Sequence, residues 1–142
     1  ALSSGLPVLV LPQEFEGAFD PQNVLVAWKS SREAVRAVRD NLTLLRDAER
    51  VTVLSVGTSE ETGRLPADQV IHFLERHGIQ AELRKDYGDN QAGKVLMSTA
   101  EEIGADAVIM GANGHPSWSN LILGNTTRYV LRHHRMPLIL SH

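Results

Sequence analysis

Short apolar runs alternate with amphipathic stretches of helical period along most of this 142-residue chain, and that alternation restricts its fold more than any other feature. Val24-Leu25-Val26-Ala27-Trp28 is continuously apolar, as a strand buried on both faces should be. Ser30 stands three residues before Glu33, a capping-box spacing that predicts the start of a helix. Val35, Val38, Leu42 and Leu45 would share one face of that helix. Val51 to Val56 reads as a second strand, followed by a polar loop from Gly57 to Gly63. Pro66 suits the first turn of the next helix, with Val70, Phe73, Leu74 and His77 as its inner stripe and Gly78 as its C-terminal cap.

Ile79 to Arg84 alternates apolar with polar, the pattern of a strand with one exposed side. A third helix is expected from about Asn90 to Ile103, closed by Gly104. Ala107-Val108-Ile109-Met110 is a fourth buried strand, Tyr129 to His134 a fourth helix, and Met136 to Leu140 a last strand. Pro137 argues for an edge position there. Regular alternation of this kind implies an α/β fold, an open parallel sheet with helices on both faces.

Between the fourth strand and the fourth helix lies Gly111-Ala-Asn-Gly114, nine further residues, then Gly124-Asn125-Thr126-Thr127. A glycine-bearing turn between a strand end and a helix start leaves backbone N–H groups free and lets an anion approach them. The arrangement suits phosphate. Neither the Walker-A pattern nor the three-glycine Rossmann fingerprint is present.

Composition narrows the function classes. The net charge of −3 supplies no basic footprint for nucleic acid. No apolar stretch approaches the length of a membrane span, so no membrane partner is expected. The absence of cysteine excludes thiol catalysis and Cys-based metal sites, and is compatible with a reducing cytoplasm. His115, His133 and His134 have no carboxylate at ligand spacing, and the adjacent pair points in different directions. They read as surface residues. Trp118 is read as loop packing, or as a lid over a ligand or partner.

The first residues form a separate unit. Leu6-Pro7-Val8-Leu9-Val10-Leu11 echoes Met136-Pro137-Leu138-Ile139-Leu140. Residues 1–11 are therefore expected to be an extra strand resembling the last strand of a preceding domain, 12–22 a linker, and 23–142 the main domain. The strand at 6–11 should pair with residues 137–141 of this chain or of a second copy.

The two glycine spacings, the run Ala105 to Gly111 and the closing Val130-Leu131-Arg132-His133 together resemble the universal stress protein family over nearly all of residues 23–141. The resemblance implies a sheet ordered 3-2-1-4-5, with a ligand at the carboxyl ends of the first and fourth strands, where the topology switches direction. It implies an adenine nucleotide, ATP in several members, with adenine near Val56 and phosphates on Gly111, Gly114, Gly124, Asn125, Thr126 and Thr127. It also implies a stress-response module without strong catalysis, and dimerisation through the last strand. Two positions depart from the family pattern. Asn125 stands where the signature has Ser or Thr, and its amide can still donate to phosphate. Lys29 stands where ATP-binding members typically carry Asp. An ammonium has no lone pair for magnesium, although it can contact phosphate directly or simply stand solvated at a strand end. The rival reading is a dimerising interaction module that binds no nucleotide.

Overall fold

The computed structural model describes residues 5–56, 66–86, 91–112, 114–117 and 120–142, with 114–117 and 120–123 described by backbone alone. In chain order the elements are β1 (Val8–Val10), β2 (Asn23–Trp28), α1 (Arg32–Asp40), α2 (Leu42–Asp47), β3 (Arg50–Val56), α3 (Ala67–Arg76) and β4 (Ala81–Asp86). Then follow α4 (Ala92–Ile103), β5 (Ala107–Gly111), the short strands β6 (Gly114–Ser117) and β7 (Asn120–Leu123), α5 (Asn125–His133) and β8 (Leu138–Ser141).

Six strands form one sheet in the order β1-β8-β5-β2-β3-β4. Its five parallel members have the expected 3-2-1-4-5 order, with β2 pairing β3 on one side and β5 on the other. The pleat sends alternate residues to opposite faces. Val24, Val26 and Trp28 of β2 join Val53, Ile109 and the inner faces of α1 and α3 in one apolar layer. Leu25 joins Leu54, Val108, Leu138 and the inner faces of α4 and α5 in the other. Both faces are covered, which is why the central strands read as continuous apolar runs.

The strand starts are tied together across the sequence. Asp106 accepts hydrogen bonds from the backbone N–H groups of Gln22 and Asn23, both at 2.9 Å, and Asn23 Nδ2 donates to the Ile103 carbonyl. These bonds fix β2 beside β5 at the end of the sheet opposite the carboxyl ends. Gly104 ends α4 at φ 69°, a left-handed conformation that glycine adopts without a Cβ clash.

Several local expectations are corrected. The α1 cap is Ser31, not Ser30: its Oγ accepts from Ala34 N at 3.1 Å, and a turn from Lys29 O to Ser31 N delays the helix by one residue. The expected single helix through Leu45 breaks at Asn41, whose side-chain amide turns back to the Ala37 carbonyl at 2.7 Å. The third helix starts at Ala92, while Asn90 lies outside the described residues, as does the loop Gly57–Gly63. The last strand is not an edge. Pro137 precedes its first paired residue, and β1 covers its outer side antiparallel, with Val8 opposite Leu140 and Val10 opposite Leu138.

A Ser31→Ala substitution should destabilise the chain by about 1 kcal/mol, because it removes the one side-chain acceptor at the start of α1. Thermal unfolding followed by circular dichroism should show a melting point roughly 3 °C lower.

Candidate functional site

The carboxyl ends of β2 and β5 lie side by side, and the chain leaves them in opposite directions: β2 leads through α1 to β3, and β5 leads through α5 to β8. A crevice opens where the topology diverges in this way. Here it is a cavity of about 200 Å³. Ala27, Trp28 and Lys29 bring it the end of β2, Leu54 and Val56 the end of β3, and Met110 and Gly111 the end of β5. Three helix starts complete the walls: Ser31 and Ala34 of α1, Ala92 and Leu96 of α4, and the segment Gly124 to Thr127 at α5.

The helix starts differ in how their first-turn N–H groups are used. Ser31 Oγ caps α1. The N-cap residues of α4 and α5, Gln91 and Gly124, supply no side-chain hydrogen bond. In α5 the first N–H engaged within the helix is that of Arg128, bonded to the Gly124 carbonyl at 3.0 Å. The preceding N–H groups have no intrahelical acceptor and lie at the positive end of the helix dipole. Thr127 adds a hydroxyl-bearing side chain: only 2% of the residue is exposed, yet it lines the cavity. Leu54, Leu96 and Met110 give the lining buried apolar surface. The lining therefore combines a helix start with free N–H groups and apolar side chains.

Seven of the eight residues singled out from sequence line this one cavity: Lys29, Val56, Gly111, Gly124, Asn125, Thr126 and Thr127. The eighth, Gly114, is placed only as the first residue of β6. The expected helix start at Tyr129 moves back to Asn125, so Thr126 and Thr127 belong to its first turn rather than to a loop. Thr127 and Val130, three positions apart, both turn inward, which overrides the weak helix propensity of the β-branched pair. The nine-residue insert contains an antiparallel hairpin, Gly114 pairing with Leu123 and Ser117 with Asn120, which the sequence reading treated as loop. Trp118 lies outside the described residues.

Gly111 has a role that sequence reasoning missed. A Cβ there would stand 2.6 Å from Ala34 N and 2.6 Å from the carbonyl carbon of Glu33. The first turn of α1 rests against the end of β5, and glycine is what permits that approach.

His133 is exposed and stacks edge-on against Tyr129 at 4.1 Å, while His134 Nδ1 lies 2.9 Å from the Met136 carbonyl. Among the described residues no cluster of three His, Cys, Asp or Glu side chains is placed to hold a metal. No described helix is long and apolar enough to cross a membrane. A second cavity of about 330 Å³ shares Trp28 as a wall and lies between α1 and α3, against Val35, Val38, Val70 and Phe73. It holds none of the eight candidate site residues.

Fold and crevice define a doubly wound α/β domain with a cavity at the topological switch point. Residues 21–142 match the model of the universal stress protein family, and the chain belongs to that family. A universal stress protein of Synechocystis sp. is 26% identical over 137 residues, covering 94% of this chain and 46% of its own length. The chain thus spans about half the length of that curated relative. A universal stress protein from Archaeoglobus fulgidus superposes with a TM-score of 0.75 at 22% identity, over 99% of this chain and 50% of that one. A family protein from Arabidopsis thaliana with AMP bound gives a TM-score of 0.63 at 16% identity, over 85% of this chain and 90% of that one. Two further solved family members are in complex with dAMP and with cAMP.

Proposed function

We propose that the cleft binds an adenine nucleotide, ATP among the candidates, and that the chain serves as a nucleotide-responsive stress module rather than a strong catalyst. The observation that carries the reading is the uncapped start of α5, with Thr127 of its first turn in the cavity lining, at the switch point of the sheet. That end would receive the phosphates, while Val56 and the apolar lining would face the base. Relatives that hold AMP, dAMP and cAMP support an adenine ligand. A cavity of this size encloses less than a whole nucleotide, since ligand pockets usually measure roughly 300–1,000 Å³. Part of the ligand would then extend toward solvent. The described lining supplies no carboxylate or imidazole as a general base, which favours binding over turnover. The cysteine-free composition suits a reducing, cytoplasmic setting.

Thermal shift with AMP and ATP tests the reading. Ligand at 100 times its dissociation constant stabilises the folded state by about 2.7 kcal/mol, which should raise the melting point by roughly 5–10 °C. A flat melting point at millimolar ligand, together with no heat in calorimetry, would sink it.

A second reading, an interaction module, draws on a different observation. Leu6, Leu9 and Leu11 are 67%, 44% and 46% exposed and sit in or beside the edge strand β1. Residues 1–11 would then be a strand of the kind that ends a preceding domain, 12–22 a linker, and β1 the strand that receives a second copy or domain. A homodimer through β8 itself would first have to displace β1, which already holds that edge. Light scattering across a concentration series distinguishes a dimer from a monomer.

A further inference from the structure

We infer that this cleft takes its nucleotide as the metal-free anion, with Lys29 standing in place of a divalent cation. The inference rests on the nucleotide reading above and concerns how the phosphate charge is met. A magnesium ion at a phosphate site is normally held by one or two carboxylates in addition to the phosphate oxygens. Among the described residues that line the cavity there is no Asp and no Glu. Glu33, whose Cβ abuts Gly111, is not one of them. The Ser31 hydroxyl, also in the lining, accepts from Ala34 N. The donor set of the described lining therefore does not fit a magnesium ion.

The groups that are present all favour negative charge. Lys29 continues from the end of β2 into the cavity wall, is exposed, and has no ion-pair partner among the described residues. Lysines elsewhere are not all so placed, for Lys85 pairs with Asp68 at 3.7 Å. The same cavity is lined by the start of α5, whose N-cap Gly124 supplies no side-chain hydrogen bond, and by Thr127, a residue only 2% exposed. An ammonium binds phosphate as a point charge with three donors, so it can replace an ion bridge. A magnesium ion bound to the same phosphates would occupy the oxygens Lys29 needs and bring like charge beside it.

Titration calorimetry with ATP and with AMP, each in EDTA and in excess magnesium, tests this on the wild type, Lys29→Met and Lys29→Asp. For the wild type, magnesium should weaken ATP binding at least about threefold and leave AMP nearly unchanged, because AMP holds magnesium poorly. Lys29→Met should bind metal-free ATP roughly tenfold more weakly, the loss of one charge-assisted contact. Lys29→Asp should bind metal-free ATP more weakly still and gain affinity on adding magnesium, a reversal of sign that a merely structural lysine would not produce. Circular dichroism melting of both variants checks that the fold is kept, as expected for an exposed side chain. Tighter ATP binding by the wild type with magnesium, or wild-type affinity in Lys29→Met, overturns the inference while the nucleotide reading stands. Absence of binding to either nucleotide in both buffers overturns the nucleotide reading, and this inference with it.

Discussion

Gly111→Ala should destabilise the chain by about 2–3 kcal/mol, and Gly111→Val by more, whether or not a nucleotide is present. The atoms a Cβ would meet, Ala34 N and the Glu33 carbonyl carbon at 2.6 Å, are backbone in the first turn of α1. Backbone in a capped helix cannot give way as the tip of a flexible side chain can. Relief requires α1 to lift off β5, which would pull Ala34, Ala37 and Val38 out of the apolar layer they share with β2. Denaturant unfolding should show the midpoint of Gly111→Ala shifted down with the slope retained, and a melting point roughly 6–9 °C lower. Gly124→Ala provides the contrast. Gly124 sits at φ −60°, ψ 161°, which any residue adopts, so its substitution should leave stability within about 1 kcal/mol. If both variants unfold alike, or neither does, the separation of a packing glycine from a site glycine fails.

Removal of residues 1–11 should turn the chain into a self-associating species. β8 is buried along its whole length, with Leu138 and Leu140 at 0% and 1% exposure. Val8 and Val10 stand opposite Leu140 and Leu138 and supply the outer ladder. Without them β8 presents unpaired N–H and C=O groups along an apolar strand, the feature most prone to pair with a second chain. The shortened chain should elute as a dimer or larger in light scattering and melt several degrees lower at low concentration. Lost burial of the two valines accounts for on the order of 2 kcal/mol. A monomer of unchanged melting point would show that β1 contributes nothing to the edge.

Much of the fold was legible because two-sided burial writes itself into local sequence. Val24 to Trp28 and Ala107 to Met110 are continuous apolar runs, and these strands proved central, covered on both faces. The inner positions Val38, Leu45, Val70 and Leu74 followed from helical spacing and are buried. The convergence of the candidate residues was legible for another reason. The spacing of Gly111 and Gly124 around the insert marks a strand end and a helix start, so seven of the eight predicted positions meet in one cleft.

The misread features all depended on partners remote in sequence or on competing local bonds. Ser30 and Ser31 are equivalent as cap residues until the end of β2 sets the turn from Lys29 to Ser31. The break at Asn41 arises because its amide can serve the preceding helix, an option that apolar periodicity does not register. Pro137 suggested an edge because no sequence rule says that a strand from the opposite end of the chain will cover it.

By itself, then, the sequence determined the strand and helix types, the apolar layers and the family, since those follow from periodicity and spacing carried within each segment. Tertiary structure alone decided which glycine is a packing necessity, because the atoms that forbid a Cβ at Gly111 come from residues 33 and 34. It also decided what surrounds Lys29. The charge of a cleft is a sum over three helix starts and three strand ends, and only folding brings those ends together.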